Sequence, residues 1–244
     1  MSFSDKRVLL VGAGGLGSPA ATLLARAGVG YLEVLDDDVV ELSNLQRQTL
    51  FDPAHVGLSK ARCAAERLSS EARAAGHEHS EVVARELRLH PGIALETIRG
   101  FDLVVEGSDN YPSKFLTADA CHLARIPCVQ AAAVRWVGWV FGCVPGRSAC
   151  LRCVFEDIPE GPDRGCAQAG VLGPVVGVVG ALQAATALRV LRGDTAAAGV
   201  LTHYRALHGI LRRRPIAPRA DCALCSGTIT QLDRARYLPR DCAA

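Results

Sequence analysis

The sequence predicts an α/β fold: a doubly wound, mostly parallel sheet with an antiparallel extension toward the C-terminus. Three observations predict it. The first half alternates short apolar runs with longer mixed ones, as parallel strands joined by helical crossovers do. A glycine-rich turn, Gly12-Ala13-Gly14-Gly15-Leu16-Gly17, follows the first apolar run and opens the first helix, which is a Rossmann-like arrangement. Two Cys-x-x-Cys pairs, Cys150/Cys153 and Cys222/Cys225, lie far apart in the second half. Each pair can grip one side of a tetrahedral zinc, and together they would close a four-coordinate structural site tying the tail to the middle.

In chain order, residues 7–11 read as a buried strand, 16–27 as a helix, and 31–35 as a second strand ending in Asp36-Asp37-Asp38. Residues 59–73, rich in Ala, Arg and Glu, read as a helix, and 81–86 as a strand. An apolar strand over 101–106 ends in Gly107-Ser108-Asp109-Asn110. A helix over 113–124 and a strand over 127–131 follow, then a strand over 136–144 in a new, antiparallel setting. Residues 150–170 carry Pro, Gly and charge and read as a long loop. Residues 175–191 read as a nearly all-apolar buried helix, and the tail as short strands around the second cysteine pair. No internal repeat is visible.

At 244 residues and 49% hydrophobic, the chain can bury a large core. It has ten cysteines, yet residues 1–7 are polar, with no signal-peptide pattern, and the first apolar run is far too short to span a bilayer. The apolar stretch 171–187 is interrupted by Gly and Pro. The expectation is a cytoplasmic protein with no membrane contact, where paired cysteines bind metal or do redox chemistry. A net charge of +2 gives no case for nucleic acid. The run Arg212-Arg213-Arg214 reads as a solvated face.

The turn fits G-x-G-x-x-G in its required context. Gly12, Gly14 and Gly17 permit a tight turn, and backbone N–H groups around Gly15 can meet phosphate at the helix N-terminus. Asp36, at the end of the second strand, is placed for a ribose hydroxyl. A dehydrogenase shares all of this. The next segments shift the balance: Asp38, then Ser43-Asn44-Leu45-Gln46-Arg47-Gln48, then Lys60, then Asp109-Asn110 after a later strand. Strand C-termini converge on the ligand crevice of such a sheet. Arg47 and Lys60 would there neutralise a triphosphate, and Asp109 could hold Mg²⁺. Taken singly, Arg47 or Lys60 is also an ordinary surface cation, and Asp109 an ordinary helix N-cap.

These segments together resemble the ubiquitin-activating-enzyme-like adenylyltransferases of sulfur-carrier proteins, the ThiF/MoeB/HesA family. The resemblance spans nearly the whole chain: the glycine turn, LDDDVVELSNLQRQTLF, VGLSKA, GSDNYPSKF, CLRC, GCAQAGVLGPVVGVVG and the final CALC. It implies an enzyme that uses ATP and Mg²⁺ to adenylylate the C-terminal Gly-Gly carboxylate of a ubiquitin-like carrier, ahead of thiocarboxylate formation. Thiamine, molybdopterin or a related sulfur pathway would be served. It implies a nucleotide site of Gly12, Gly14, Gly15, Gly17, Asp36, Asp38, Ser43, Asn44, Arg47, Lys60, Asp109 and Asn110, and zinc on Cys150, Cys153, Cys222 and Cys225. Residues 1–135 would be the nucleotide-binding half, and 136–244 the carrier-binding and zinc half. A homodimer is implied, and the apolar helix over 171–191 is either part of its face or simply buried within the subunit.

Cys166 lies in the loop between CLRC and AGVLGPVVG, where some family members carry a cysteine with a covalent or sulfur-transfer role and others one with none; Arg164 beside it would favour the thiolate. Cys63, Cys121, Cys128 and Cys143 read as small core residues, and Cys242 as a tail thiol. The chain departs from the family pattern in lacking the helix and Arg that usually precede the glycine-rich strand, which bears on adenylation rate and dimer contacts. Lys114 stands where the family usually has Arg, and AGHEHSEVV replaces the customary Asn-Pro turn. The sequence stops soon after Cys225, so a separate sulfur donor is expected. The competing readings are a non-catalytic carrier-binding scaffold and activation of another peptide or carrier C-terminus.

Overall fold

The computed structural model describes residues 2–159 and 170–237. Its sheet has eight strands in the order β3-β2-β1-β4-β5-β6-β7-β8. The parallel part comprises β1 (Phe3–Val11), β2 (Val29–Leu35), β3 (Glu81–Arg85), β4 (Leu103–Glu106) and β5 (Cys128–Val134). Three antiparallel strands continue it: β6 (Val137–Cys143), β7 (Val200–Arg205) and β8 (Ile210–Pro215).

Composition explains the placement. Val8-Leu9-Leu10-Val11 and Leu103-Val104-Val105 are buried on both sides, as strands covered by helices on both faces must be. On β8 the run Arg212-Arg213-Arg214 is exposed, and that strand forms an edge, where charge discourages further pairing. Helices α1 (Gly17–Arg26), α2 (Lys60–Ala74) and α6 (Gly173–Leu191) cover one face, their core joining Leu24, Leu68 and Val179 to Val8 and Leu10. On the other face lie α3 (Pro91–Ile98), α4 (Tyr111–Ala124) and the one-turn α5 (Leu151–Val154), packed on Leu9 and Val11. A third, smaller core gathers Phe141, Leu224 and Ile229 around Cys150, Cys153 and Cys222, with Cys225 exposed.

The sheet, the antiparallel turn at β6 and the long apolar helix match the expected architecture. The differences have local causes. β1 starts at Phe3 because a register shift lets residues before Arg7 pair with β2. α3 was not expected; its short apolar stretch begins with Pro91, whose fixed φ suits the first helical turn. α6 begins at Gly173, with Pro174 at its start, and contains Gly177 and Gly180. The glycine at 180 answers to packing: a Cβ there would lie 2.5 Å from Pro19 Cγ and 2.7 Å from the Leu16 carbonyl oxygen. By length and composition α6 could cross a membrane, at a mean hydropathy of 1.6. Here it lies against α1, β5 and β6, with Gln183 donating to the Glu106 and Val129 carbonyls at 2.7 and 3.0 Å. It is not wholly buried, because Val178 is 40% exposed. Within the expected long loop, Leu151–Val154 forms one helical turn, and residues 160–169, with Arg164 and Cys166, fall outside the described residues, as does Cys242. Cys63, Cys121 and Cys128 are core residues and Cys143 is half-buried.

Candidate active site

The parallel strand order reverses between β1 and β4, and a cleft opens at the C-terminal ends of β1, β2 and β4, where such sheets bind ligands. It encloses about 1010 Å³ with its solvent-open space.

The glycine turn forms the floor. The Gly12 N–H donates to the Leu35 carbonyl at 2.9 Å, and Gly12 has φ +88°, a conformation that L side chains rarely adopt. A Cβ on Gly17 would sit 2.0 Å from the Gly12 oxygen, so Gly17 closes the turn rather than lining the cleft. Gly12, Gly14 and Gly15 do line it. No side chain caps α1, but its first turn is largely occupied: the Ser18 N–H donates to the Gly14 carbonyl at 2.8 Å, the Ala20 N–H to the Leu16 carbonyl at 3.3 Å, and Pro19 has none.

Asp36 lies at the end of β2 and is 8% exposed. Its carboxylate accepts from the Ala13 N–H at 2.8 Å and the Asp38 N–H at 2.9 Å, so it fastens the glycine turn as well as lining the cleft. Burial pushes its carboxyl above the usual carboxylate range, against those two N–H groups and the nearby Lys60 charge, which act to lower it. Lys60 opens α2, is buried, and pairs with the exposed Asp38 at 2.9 Å.

Asn44 and Ser43 do not line the cleft. Asn44 is buried; its Oδ1 accepts from the Glu41 N–H and its Nδ2 donates to Ser43 Oγ, both at 3.3 Å. The Asn44 carbonyl in turn accepts from the N–H groups of Arg47 and Gln48, both at 3.0 Å. The pair therefore builds the short turn that presents those two side chains. Arg47 Nη1 donates to the Ser43 carbonyl at 3.1 Å, and its aliphatic stem packs over Gly15.

After β4, Gly107, Ser108, Asp109 and Asn110 form the remaining wall. The cap of α4 is Asn110, whose Oδ1 accepts from the Ser113 N–H at 2.9 Å. Asp109 is exposed to the cleft, and among the described residues it has no hydrogen-bond or ion-pair partner. Sequence reading missed Gln48, a buried side chain whose Oε1 has no partner, and the apolar wall of Leu87 and Leu89 with Arg88 between them. The last three follow β3 after one intervening residue, so their place near a strand C-terminus was a usable signal. Among the described lining residues there is no histidine or cysteine. What the described lining offers is charge and positioning.

A separate cluster lies beside the third core. Sγ atoms of Cys150, Cys153, Cys222 and Cys225 all fall within 4.8 Å of one another, with separations of 3.8, 3.5, 3.7 and 3.4 Å for four of the pairs. A tetrahedron with metal–sulfur distances of ~2.3 Å has edges of ~3.8 Å, so the set fits zinc. The Arg219 N–H donates to Cys153 Sγ at 3.5 Å, as outer-shell donors to metal thiolates do. Burial pushes the Cys150 thiol well up and that of Cys225 to about 11, so a cation is needed to hold all four as thiolates.

Residues 2–225 match the sequence model of the ThiF family. The chain belongs to the ThiF family. Among curated relatives of this ThiF-family chain, the adenylyltransferase and sulfurtransferase MOCS3 of Sus scrofa is 42% identical over 230 residues, covering 92% of this chain and 50% of the relative. The SAMP-activating enzyme E1 of Haloferax volcanii is 38% identical over 237 residues, covering 96% of this chain and 86% of that one. This chain spans about half the length of the MOCS3 relatives it matches. Among solved structures, E. coli MccB with ATP superposes with a TM-score of 0.78 at 21% identity, covering 92% of this chain and 68% of MccB. That likeness is one of fold.

Proposed function

We propose that this chain adenylylates the C-terminal Gly-Gly carboxylate of a ubiquitin-like sulfur-carrier protein. The observation that carries the reading is the meeting of the glycine turn, Arg47, Lys60 and Asp109 in one cleft, whose described lining has no histidine or cysteine. A carboxylate is already ionised near pH 7, so its attack on the α-phosphate needs alignment and charge stabilisation rather than a base. One carboxylate oxygen bonds to the α-phosphorus, the bond to the bridging oxygen breaks, and pyrophosphate leaves with the electron pair. The names of the MOCS3 and SAMP-activating relatives support the same reading.

In this reading Gly14 and Gly15 present backbone N–H groups to phosphate, and Asp36 takes a ribose hydroxyl. Lys60 exchanges Asp38 for phosphate, and Arg47 binds beside it. Ser43 and Asn44 act by shaping the turn. Asp109 and Asn110 face the phosphates, and Asp109 holds Mg²⁺, which when bound draws charge off the phosphate oxygens. The cleft fits that ion through the Asp109 carboxylate, which has no protein partner among the described residues. Zinc on the four cysteines is structural. Residues 1–135 bind nucleotide, and 136–244 hold the carrier and the zinc. The chain acts in the cytoplasm as a homodimer, which a sedimentation run at micromolar concentration tests, a monomer alone being the contrary result. Sulfur comes from a separate donor. Cys166 takes part in its transfer; normal thiocarboxylate yield from Cys166→Ala would exclude that role. The experiment for the main reading is ATP–pyrophosphate exchange that depends on a Gly-Gly carrier. Binding of carrier without exchange would indicate a scaffold, and exchange with unrelated peptide termini would indicate a different substrate.

A further inference from the structure

Behind the cleft, outside its lining, lies a buried ion pair. Glu106, the last residue of β4, is 0% exposed, and Lys114, in the first turns of α4, is 4% exposed. Glu106 Oε2 accepts from Lys114 Nζ at 2.7 Å. Its other oxygen accepts from the Ser108 N–H at 2.9 Å and from the Ser108 hydroxyl. Lys114 Nζ also donates to the Ala131 carbonyl at 2.6 Å, and Gln130 Nε2 to the Lys114 carbonyl at 2.8 Å, tying the pair to β5. Glu106 sits directly before the Gly107–Asn110 segment, Ser108 within it, Lys114 in the helix that follows it, and Gln130 and Ala131 on the strand beside β4.

Two charges taken out of water carry a large desolvation penalty, and an apolar pair of the same volume would often serve stability as well. The pair therefore calls for a role beyond stability. Its geometry supplies one. The Glu106 carboxylate grips both polar hydrogens of Ser108, one residue before Asp109, and Lys114 fixes that carboxylate from below. Gly107 is held from the opposite side, its N–H donating to the Val11 carbonyl at 2.8 Å. A Cβ there would lie 3.0 Å from the Gly17 N, so the segment is seated against the glycine turn. Asp109 itself, exposed and without a partner among the described residues, has nothing of its own to fix its direction.

We infer that Glu106 and Lys114 are positioning residues that aim Asp109 into the cleft, setting how well the site takes Mg²⁺ with ATP. The inference rests on the adenylylation reading only in assigning the metal to Asp109. Lys114 stands on α4 at the spacing that puts its ammonium under Glu106, and among the described residues no other acidic group receives it.

The test is calorimetric titration of ATP into the full chain with and without Mg²⁺, which needs no carrier. Wild type should show tighter ATP binding with the metal. Asp109→Asn should remove that gain. Lys114→Met and Glu106→Gln should each reduce the gain about tenfold, the size expected when one ligand is misaimed rather than removed. Lys114→Arg, which keeps the charge, should restore it to within about twofold. The double variant should lose no more than the worse single one, because the two residues act as one device. A purely structural role would lower the melting temperature and leave the metal-dependent gain intact. A folded Lys114→Met protein with the wild-type gain overturns the inference. If that variant does not fold, a wild-type gain in Glu106→Gln overturns it equally. An unchanged gain in Asp109→Asn removes the metal assignment and the inference with it, while carrier-dependent exchange would still stand as evidence for adenylylation.

Discussion

Replacing Arg152 by leucine is expected to be among the most destabilising single changes away from the cleft. Arg152 lies inside the first Cys-x-x-Cys pair, and its side chain is 4% exposed against 0% for its partner Asp119. The guanidinium meets that carboxylate in a fork, with Nε at 2.9 and 3.1 Å from its two oxygens and Nη2 at 2.9 Å. Nη1 reaches the Glu156 carbonyl at 3.0 Å and Asp157 at 3.1 Å. The Tyr237 hydroxyl donates to the same Asp119 at 2.7 Å, so the C-terminal segment is clasped to α4 through this centre. Leucine removes every donor of the fork and leaves Asp119 buried with only a phenol. Breaking one partner of a buried pair costs about 3–5 kcal/mol. At ~2–4 °C per kcal/mol for a chain of this size, the melting temperature should fall by roughly 6–20 °C. Calorimetry or dye-monitored melting reads this directly. The companion change Asp119→Leu in the same protein should recover part of the loss, since no charge is then stranded. A single Arg152→Leu variant melting within about 2 °C of wild type would refute the reasoning.

Two further outcomes concern the cysteines. Cys222→Ser should lower the zinc content found by metal analysis, reduce the melting temperature and leave ATP binding intact; zinc-free wild-type protein, carefully prepared, would contradict the structural-metal reading. Cys143 should resist alkylation at pH 8, because burial raises its thiol to about 12 and cuts its thiolate fraction roughly 10³-fold relative to a free cysteine. Since the folded thiol holds its proton more tightly than the unfolded one, its contribution to stability is full below pH ~9 and is lost as pH rises toward 12. Mass mapping after brief iodoacetamide treatment checks the first statement, and rapid labelling of Cys143 in folded protein would sink it.

Much of this was legible in the sequence because the informative residues obey short-range rules. The turn at Gly12–Gly17 announces itself by spacing, and Asp36 and Asp109 stand at the ends of apolar runs, which a parallel sheet brings to one crevice. The zinc pairs were readable because the helical turn places Cys150 beside Cys153 whatever the rest does. What stayed hidden depended on tertiary contact. Asn44 is the exception: its partners Glu41 and Ser43 are three and one residues away, so its part in shaping the turn rests on a local capping pattern that carries no strong sequence signature. The pairing of Lys114 with Glu106 is a contact across a loop, and that of Arg152 with Asp119 joins two elements distant in sequence. Lys114 and Arg152 both look like surface cations in the sequence, and both are buried. α3 was missed because a short apolar segment carries too little periodicity to separate helix from loop.

The central claim is that charge and alignment in the cleft drive transfer of adenylate to a carrier tail. The measurement that tests it most directly is carrier-dependent ATP–pyrophosphate exchange by wild type and Asp109→Ala, both shown to be folded. Wild type should exchange label only when a Gly-Gly carrier is present, and Asp109→Ala should lose on the order of 10²-fold or more of that rate. Exchange that ignores the carrier, or near-normal exchange by Asp109→Ala, would contradict the account.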